Sequence, residues 1–278
     1  MCVSLSGGLS CQGQLNFIRF LQTVCISVNR VTDDPSNDFF FEAYDRENIA
    51  YGMQPSPELA AYLKQTGAKA STYTQRPKAI DLGAGAGRDT LALAAAGYDV
   101  TSVDVSERGL DRIRERAERT DLSERIQTVV CDVRELSMEA NQYAAVIATT
   151  VLDHIPGTDA PAVWKKMCAS LTDHGMLYAQ VHTTEDPGSN QSPGKESDQP
   201  VSETAGAVIN YFRPNQLVGW ACDPDSKLRV LRYEERLEWD TTHGAPHQHG
   251  KAVLLAVRHG FHPEWFGQPA AFPRPEQD

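Results

Sequence analysis

The feature of this chain that most constrains its fold is a triplet of alternating glycines after a short apolar run. Gly83, Gly85 and Gly87 stand in the stretch "KAIDLGAGAGRDTLALAAAGYDVTSVDVS". Glycine loses more conformational freedom on folding than any other residue, so three glycines inside regular structure would be costly. Where glycines separate a strand from a helix, their bare backbone N–H groups can approach a ligand closely. The triplet therefore predicts a ligand-binding turn between a strand at Ala79–Leu82 and a helix at Asp89–Ala96.

Strand-like and helix-like segments alternate after this turn. Further strands are predicted at Tyr98–Asp104, Ile126–Asp132, Tyr143–Thr149 and Met176–His182, with helices at Ser106–Thr120, Ala160–Leu171 and Pro214–Ala221. This order is typical of a parallel sheet with helices on both faces. The last two strands, Leu228–Leu237 and Lys251–Arg258, are expected to pair antiparallel at one edge, because their connection is short. We therefore predict an α/β, Rossmann-like, seven-stranded and mostly parallel sheet with an antiparallel last strand.

The overall composition is that of a globular protein and limits the partners. Of the 278 residues, 41% are hydrophobic and 23% are charged, and the formal net charge is -11 at pH 7. The negative charge argues against nucleic acid as the main partner, and no apolar run reaches the ~18 residues of a membrane helix. The cysteines are scattered, without CxxC or Cys/His spacing. This favours reduced thiols in the cytoplasm and indicates no metal motif.

The two ends of the chain and one internal segment differ from the rest. Residues 1–30 contain no Asp or Glu, and Arg19 interrupts their apolar part, so an extension outside the core is expected rather than a signal peptide. A single domain is predicted at residues 31–260, followed by a Pro-rich tail at 261–278. The polar segment Thr183–Ala205 predicts a long loop, which is either a cover over a bound molecule or a disordered surface excursion.

The glycine spacing separates two classes of cofactor. Dinucleotide enzymes favour G-x-G-x-x-G, which would place the third glycine at position 88, where this chain has Arg88. Instead, Gly87 is the third glycine. Asp104 follows Gly85 by nineteen residues at a predicted strand end, and an acid at about that distance suits the hydroxyls of a ribose. Any one such Asp taken alone is more simply explained as a helix N-cap, but the ordered set favours a cofactor that contains a nucleoside.

The arrangement D-x-G-x-G-x-G resembles the first motif of class I S-adenosylmethionine (SAM) methyltransferases. The resemblance implies that Asp81 helps to hold the methionine ammonium group of SAM, that Asp104 binds the ribose and that Asp132 binds the adenine amino group. The other SAM-binding residues that it implies are Gly83, Ala84, Gly85, Arg88, Val105, Val133 and Thr149.

Within that class, the stretch from Asp81 to Ser106 is similar to the tellurite-resistance methyltransferase family, whose members carry D-L-G-x-G-x-G-R, an apolar helix and G-Y-D-V. The similarity runs from about Phe39 to Arg258 and is strongest over the first two strands. The segment "TTVLDHIPG" resembles small-molecule O-methyltransferases of the ubiquinone type equally well. Because the tellurite family is compact after its fifth strand and this chain inserts Thr183–Ala205, the resemblance leaves the substrate open.

Histidines and tyrosines are the candidates for contact with a methyl acceptor. His154 and His182 follow the fourth and fifth predicted strands and are candidate general bases, although His154 reads equally as a wall of the cofactor pocket. His243, His247 and His249 stand in the expected connection between the last two strands. This triple is more typical of an exposed hairpin than of a metal site, and His247 and His249 are candidates for the substrate mouth. Tyr44 and Tyr51 precede the first strand, in a segment that related enzymes use as a lid, and Tyr44 reads equally as a core residue.

The sequence thus predicts a soluble, cytoplasmic SAM-dependent methyltransferase for a small molecule, with no metal. Tellurite- or selenite-type oxyanions and small organic acceptors both remain open, as does a protein that binds SAM without catalysis. A nicotinamide-dependent oxidoreductase is disfavoured by Arg88.

Overall fold

The computed structural model describes residues 40–45, 52–70, 76–190, 209–242 and 245–263. The predictions for residues 1–30, Tyr51, His243, positions 191–205 of the predicted loop and the tail from residue 264 lie outside these ranges. None of the helices in the described ranges is long and apolar enough to cross a membrane.

The described residues contain seven strands and six α-helices. The strands are β1 (Lys78–Leu82), β2 (Asp99–Asp104), β3 (Ile126–Val130), β4 (Tyr143–Thr149), β5 (Leu171–His182), β6 (Leu228–Asp240) and β7 (His247–Arg258). The α-helices are α1 (Phe41–Asp45), α2 (Pro57–Ala70), α3 (Arg88–Ala95), α4 (Glu107–Arg119), α5 (Ala160–Ser170) and α6 (Gln216–Cys222).

All seven strands form one sheet in the order β3-β2-β1-β4-β5-β7-β6. Strands β1 to β5 pair in parallel, and β7 runs antiparallel to both of its neighbours, β5 and β6. The predicted fold class is therefore confirmed, including the antiparallel last strand. The direction of winding reverses between β1 and β4, and ligands of open α/β sheets bind beside the carboxyl ends of the strands at such a point.

Helices cover both faces of this sheet because its central strands are apolar on both sides. Ile80 of β1 packs in one hydrophobic cluster with Met167 of α5. Its neighbour Ala79 points the other way, as successive strand residues do, and packs in a second cluster with Leu93 of α3 and Leu59 of α2. The conspicuous motifs of the sequence lie at the ends of these strands, beside this apolar core.

Helix α2 was not predicted, although its start signals are present in the sequence. Pro57 occupies the first helical position and Glu58 lies in the first turn, and both are favourable at a helix N-terminus. Leu59, Tyr62 and Leu63 are buried, with the spacing of one helix face. Helix α2 thus anchors the segment before β1 to the core. Of the segment that the sequence suggested as a lid, only the region around α1 is left as a candidate.

The last two strands are longer than predicted, and the placement of His247 and His249 in the connection between them is wrong. Both residues belong to β7, where His247 pairs with Asp240 and His249 pairs with Glu238 of β6. The connection between β6 and β7 is therefore shorter than predicted and comprises residues 241–246. Charge pairs between the two strands, such as Lys251 Nζ to Glu238 Oε1 at 2.9 Å, join the ladder hydrogen bonds in holding this hairpin. Because charged residues occupy many of its positions, an alternation of apolar and polar residues does not show where the strands begin and end.

Two other predicted boundaries also need correction. Strand β3 ends at Val130, so Asp132 follows the strand by two residues instead of ending it. Strand β5 begins at Leu171 and not at Met176. His154 is separated from the end of β4 by residues 150–153, so it lies in the loop and does not follow the strand directly.

Candidate active site at the carboxyl edge of the sheet

The glycine turn connects β1 to α3 in a conformation that requires glycine. Gly83, Gly85 and Gly87 have positive φ angles of 62°, 52° and 80°, which residues with a Cβ atom rarely adopt. Neighbouring atoms also exclude a side chain: a Cβ at Gly83 would lie 2.4 Å from Val151 Cγ2, and a Cβ at Gly85 would lie 2.6 Å from Tyr44 Oη. These positions therefore require glycine, but the N–H groups of Ala84, Gly85 and Gly87 donate to protein acceptors. Ligand binding by the turn stays a prediction.

Asp104, at the end of β2, fixes the position of the glycine turn. Its Oδ2 atom accepts a hydrogen bond from Gly85 N at 2.7 Å, and its Oδ1 atom accepts one from Ser106 N at 2.8 Å. The N-cap of α4 is Ser106, whose Oγ accepts from Gly109 N at 3.1 Å. The N-cap of α4 is therefore Ser106 and not Asp104.

Asp81 lies buried beneath α3. Its Oδ2 atom accepts a hydrogen bond from Thr90 Oγ1 at 2.6 Å, and Thr90 Oγ1 lies 3.0 Å from Ser102 Oγ. Burial and, to a lesser degree, the nearby charge of Asp89 raise the pKa of Asp81 to about 8. At neutral pH this carboxyl group is therefore largely protonated, and a role toward the ammonium group of SAM stays a prediction.

The predicted adenine residues lie in the loop after β3. Asp132 is held by Arg134, whose Nη2 donates to Asp132 Oδ2 at 2.6 Å. Burial raises the pKa of Asp132, but the hydrogen bonds from Arg134 outweigh burial and leave this pKa below its usual value. Val133 is buried, whereas Val105, after β2, is 46% exposed.

Asp89 is a further acidic residue of this site, and it lies between Arg88 and Thr149. It was not among the residues selected from the sequence. Ser56 N donates to Asp89 Oδ1 at 2.8 Å, and Thr149 Oγ1 donates to Asp89 Oδ2 at 2.9 Å. Arg88 Nη2 donates to Ser56 Oγ at 3.3 Å. These bonds tie the chain before α2 to the end of β4 and the start of α3. The sequence signal that could have identified Asp89 is an acidic residue in the first turn of the helix that follows the glycines.

Helix α1 brings aromatic rings to the glycine turn. Tyr44 is 7% exposed and its hydroxyl lies beside Gly85. Phe40 stacks on Tyr44 with ring centroids 6.1 Å apart, and the Phe40 ring lies 6.4 Å from that of His154. The structure thus joins Tyr44 to the predicted site and to His154, which is where a lid over a cofactor would be found.

Asp153 is the centre of a histidine group beyond β4 and β5. Its fully buried carboxylate accepts hydrogen bonds at Oδ2 from His182 Nδ1 at 2.6 Å and from His182 N at 2.9 Å. His154 Nδ1 lies 3.5 Å from Asp153 Oδ1. Within the described part of the chain, neither His154 Nδ1 nor Asp153 Oδ1 has a hydrogen-bond partner.

The charges in this group stabilise each other. Burial raises the pKa of Asp153, but the two histidines outweigh burial and hold it below its usual value. Burial lowers the pKa of His154, but Asp153 more than compensates and the net pKa of His154 is raised. The Asp153 carboxylate therefore stays ionised at neutral pH and favours positive charge on His154.

A second carboxylate–imidazole pair faces the first. His249 Nδ1 lies 2.9 Å from Asp186 Oδ2, which also accepts from Gly250 N at 3.0 Å. The ring of His249 lies 4.8 Å from that of His182 and 4.6 Å from that of His247. The histidines selected from the sequence at positions 154, 182, 247 and 249 are thus brought together from the loop after β4, from β5 and from β7. Asp153 and Asp186 were missed, although Asp153 directly precedes His154.

Comparisons with known proteins agree with this geometry. Residues 79–175, about a third of the chain, match a family model described as a methyltransferase domain. A probable S-adenosyl-L-methionine-dependent methyltransferase, TehB of Haemophilus influenzae, is 30% identical over 112 residues, which are 40% of this chain and 38% of TehB. The chain therefore contains a segment that matches a methyltransferase domain, and the resemblance to SAM-dependent methyltransferases drawn from the glycine motif is confirmed.

Two further proteins resemble the methyltransferase domain and the fold around it. The ubiquinone biosynthesis O-methyltransferase of Methylocella silvestris is 32% identical over 123 residues, which are 43% of this chain and 46% of that protein. The chain thus spans less than half the length of each curated relative. The crystal structure of Burkholderia thailandensis 1,6-didemethyltoxoflavin-N1-methyltransferase, with its substrate and S-adenosylhomocysteine bound, is 19% identical. It superposes with a TM-score of 0.51 over 92% of this chain and 93% of that structure, and at this identity it supports the fold alone.

Proposed function

We propose that this protein transfers the methyl group of SAM to a small organic molecule whose acceptor atom carries a proton, such as a hydroxyl oxygen or an amine nitrogen. The observation that carries the proposal is the His182–Asp153 pair at the end of β5. A soft nucleophile that is already anionic needs no proton acceptor, whereas a hydroxyl or protonated amine needs one. A buried imidazole held by an ionised carboxylate is suited to that task.

The cofactor end of the site follows from the glycine turn. In this proposal the turn and Asp104 would hold SAM at the carboxyl edge of the sheet, beside the end of β4. Thr149 of β4 pairs with Gln180 of β5, which stands two residues before His182, so the histidine group lies immediately beyond that point. The Phe40 and Tyr44 rings cover the same region and would keep water from the reacting atoms.

The chemical step is an in-line displacement at the methyl carbon. The acceptor oxygen or nitrogen forms a bond to the methyl carbon while the bond from carbon to sulfur breaks, and its electron pair stays on sulfur to give S-adenosylhomocysteine. The acceptor proton passes to Nε2 of His182, because Nδ1 donates to Asp153. Asp153 stabilises the imidazolium that results. Most of the remaining catalysis is alignment of the acceptor with the methyl group.

Two alternatives remain for this site. An oxyanion of tellurium or selenium would need a small positively lined hole and no general base, whereas the described group has two buried carboxylates, Asp153 and Asp186. A protein that binds SAM without catalysis would have no use for an aligned base. The similarity to a ubiquinone biosynthesis O-methyltransferase supports an oxygen acceptor. A cytoplasmic location and the absence of a nucleic-acid partner remain predictions from composition.

The test is a methyl-transfer assay that measures S-adenosylhomocysteine with three acceptor panels: phenols and alcohols, amines, and selenite or tellurite. We expect turnover with the first or second panel. His182→Asn should lower that turnover about 10²- to 10⁴-fold while the SAM affinity, measured by calorimetry, changes little. His174→Gln is the matched control, because His174 lies on the same strand but is exposed. Efficient selenite methylation that ignores His182→Asn would contradict the proposal, and SAM binding without any product would favour the non-catalytic alternative.

A further inference from the structure

The second carboxylate–imidazole pair has no task in the methyl transfer described above. Asp186 follows β5, and His249 lies on β7. Together with His182 they each offer one ligand atom, a ring nitrogen or a carboxylate oxygen, and these three atoms lie within 4.8 Å of one another. His182 and Asp186 are buried and His249 is partly buried. We propose that His182, Asp186 and His249 bind a divalent transition-metal ion, for which Zn²⁺ is the probe.

The outer contacts of His182 resemble those of a metal-bound imidazole. A histidine ligand nearly always donates its second ring N–H to a carboxylate or carbonyl, which fixes the tautomer and turns the other nitrogen toward the metal. His182 Nδ1 is bonded to Asp153 in this way. No residue in the described ranges forms a hydrogen bond with His182 Nε2, which leaves the lone pair of that atom available.

Asp186 is also held in place before any ion binds. Its Oδ1 atom accepts from Gly188 N at 2.7 Å, and its Oδ2 atom accepts from Gly250 N at 3.0 Å. Gly250 permits this approach, because a Cβ there would lie 2.4 Å from Asp186 N. The carboxylate orientation is thus set by backbone, as is typical of metal ligands supported by a second layer of hydrogen bonds.

The distances between the ligand atoms need only small adjustments, since the three atoms already lie within 4.8 Å of one another. With zinc–nitrogen and zinc–oxygen bonds of about 2.0–2.2 Å, tetrahedral ligand atoms are about 3.3–3.6 Å apart. Asp186 Oδ2 and His249 Nδ1 are at 2.9 Å, as hydrogen-bonded atoms are, so the ion would replace the proton between them. Two imidazoles and one carboxylate are a donor set that divalent transition metals accept.

The charges around the three ligands favour a cation. Asp153 lies behind His182, and Asp240 Oδ2 lies 3.9 Å from His249 Nε2. Three protein ligands leave a fourth position open, as in catalytic zinc sites. An acceptor hydroxyl bound at that position would lose its proton more readily, and His182 would then act as a ligand in place of a base. This inference goes beyond the proposed function, because metal binding requires neither SAM nor acceptor.

The experiment is a titration of the full chain, first freed of metal with a chelator, with Zn²⁺ by calorimetry and with Co²⁺ by visible absorption. We expect saturable binding of one ion per chain and the absorption of a four-coordinate Co²⁺ site. His249→Gln and, separately, Asp186→Asn should each weaken the affinity more than about tenfold. Asp153→Asn, which disturbs the outer contact of His182, should weaken it about 10- to 100-fold.

Controls separate this site from weak binding by other histidines. His174→Gln, on an exposed residue of β5, should leave the affinity unchanged, and circular dichroism should show that each variant is folded. No saturable binding, or binding that is unchanged in folded His249→Gln and Asp186→Asn, would overturn the proposal. Such a result would leave an ordinary ion pair between Asp186 and His249, and the methyl-transfer proposal would stand or fall by its own assay.

Discussion

Asp153 Oδ2 and His182 Nδ1 are 2.6 Å apart, although the two residues are separated by 29 positions in the chain. The bond crosses from the loop after β4 to the last residue of β5. It orients the imidazole and places a buried carboxylate where a proton taken from an acceptor would create positive charge. A base that depends on such a partner loses its tautomer and its electrostatic support when the carboxylate is removed.

Asp153→Asn therefore tests whether the pair acts in catalysis. We expect turnover to fall by about 10²-fold or more with little change in SAM affinity, since the hydrogen bonds and ion pairs that Asp153 forms within the described ranges do not involve the glycine turn. Steady-state kinetics and calorimetry measure the two quantities. Asp173→Asn, on an exposed position of β5, is the control. Equal losses of SAM affinity and turnover would show that Asp153 supports the cofactor site instead.

A second prediction concerns Asp104, whose two oxygens already accept backbone hydrogen bonds from Gly85 and Ser106. Asp104→Asn keeps the shape but has only one acceptor atom, so one backbone N–H loses its partner. We expect a loss of about 1–3 kcal/mol in SAM binding free energy and a loss of similar size in the free energy of unfolding. Calorimetry and urea unfolding measure these changes.

The control for Asp104 is Asp99→Asn, at the other end of the same strand, where the side chain is 46% exposed. It should change neither quantity by more than about 0.5 kcal/mol. Wild-type SAM affinity in a folded Asp104→Asn variant would refute the assignment of Asp104 to the ribose and to the turn.

A third prediction decides between the two interpretations of Tyr44. If Tyr44 is a lid over the glycine turn, Tyr44→Ala should weaken SAM binding at least about tenfold and speed SAM release, with a modest loss of stability. If it is a core residue, the variant should lose about 3–5 kcal/mol of stability with little effect on affinity. Tyr62→Ala is the matched core control, because Tyr62 of α2 is 5% exposed and packs away from the turn. Stopped-flow SAM release and urea unfolding give the two readouts.

Much of the geometry around the glycine turn could be predicted from the sequence, because its signals are local, whereas the cofactor roles of these residues remain predictions. The glycines must be glycines for the backbone to turn at positive φ, and Asp104 stands at a strand end at a fixed spacing from Gly85. The strands themselves are short apolar runs that end in turn residues. Where the local pattern is weak, as in the charged β6–β7 hairpin that contains His247 and His249, the boundaries were missed.

The acceptor half could not be predicted in the same way, because its contacts join distant parts of the chain. Asp186 and His249 are 63 positions apart and meet only because β7 inserts beside β5 in the sheet. Asp153 looks like an ordinary loop residue until β4 and β5 are aligned. The histidines were recognisable by type, but their carboxylate partners, which give them their chemistry, depend on the order of the strands.

A fourth prediction follows from the raised pKa of Asp81, which burial and then the charge of Asp89 bring to about 8. The unfolded chain has the ordinary pKa near 3.8, so between these two values the folded chain holds one more proton. The free energy of unfolding should therefore fall as pH rises from about 4 to about 8, by at most about 1.4 kcal/mol per pH unit from this group. The stabilisation is fully present below the pKa of the unfolded chain, near 3.8, and is lost as the pH rises through the pKa of the folded chain, about 8.

Asp81→Asn isolates this contribution, because the amide keeps an acceptor for Thr90 Oγ1 but does not titrate. The stability of the wild type minus that of the variant, from urea unfolding at about pH 5, 6.5 and 8, should shrink steadily as the pH rises. Asp99→Asn removes an exposed carboxylate and controls for the loss of one negative charge. If the difference between wild type and Asp81→Asn stays constant over this range, Asp81 is ionised in the folded protein throughout. Its partner would then be sought among positive groups near the turn, of which Arg88 is the first to test.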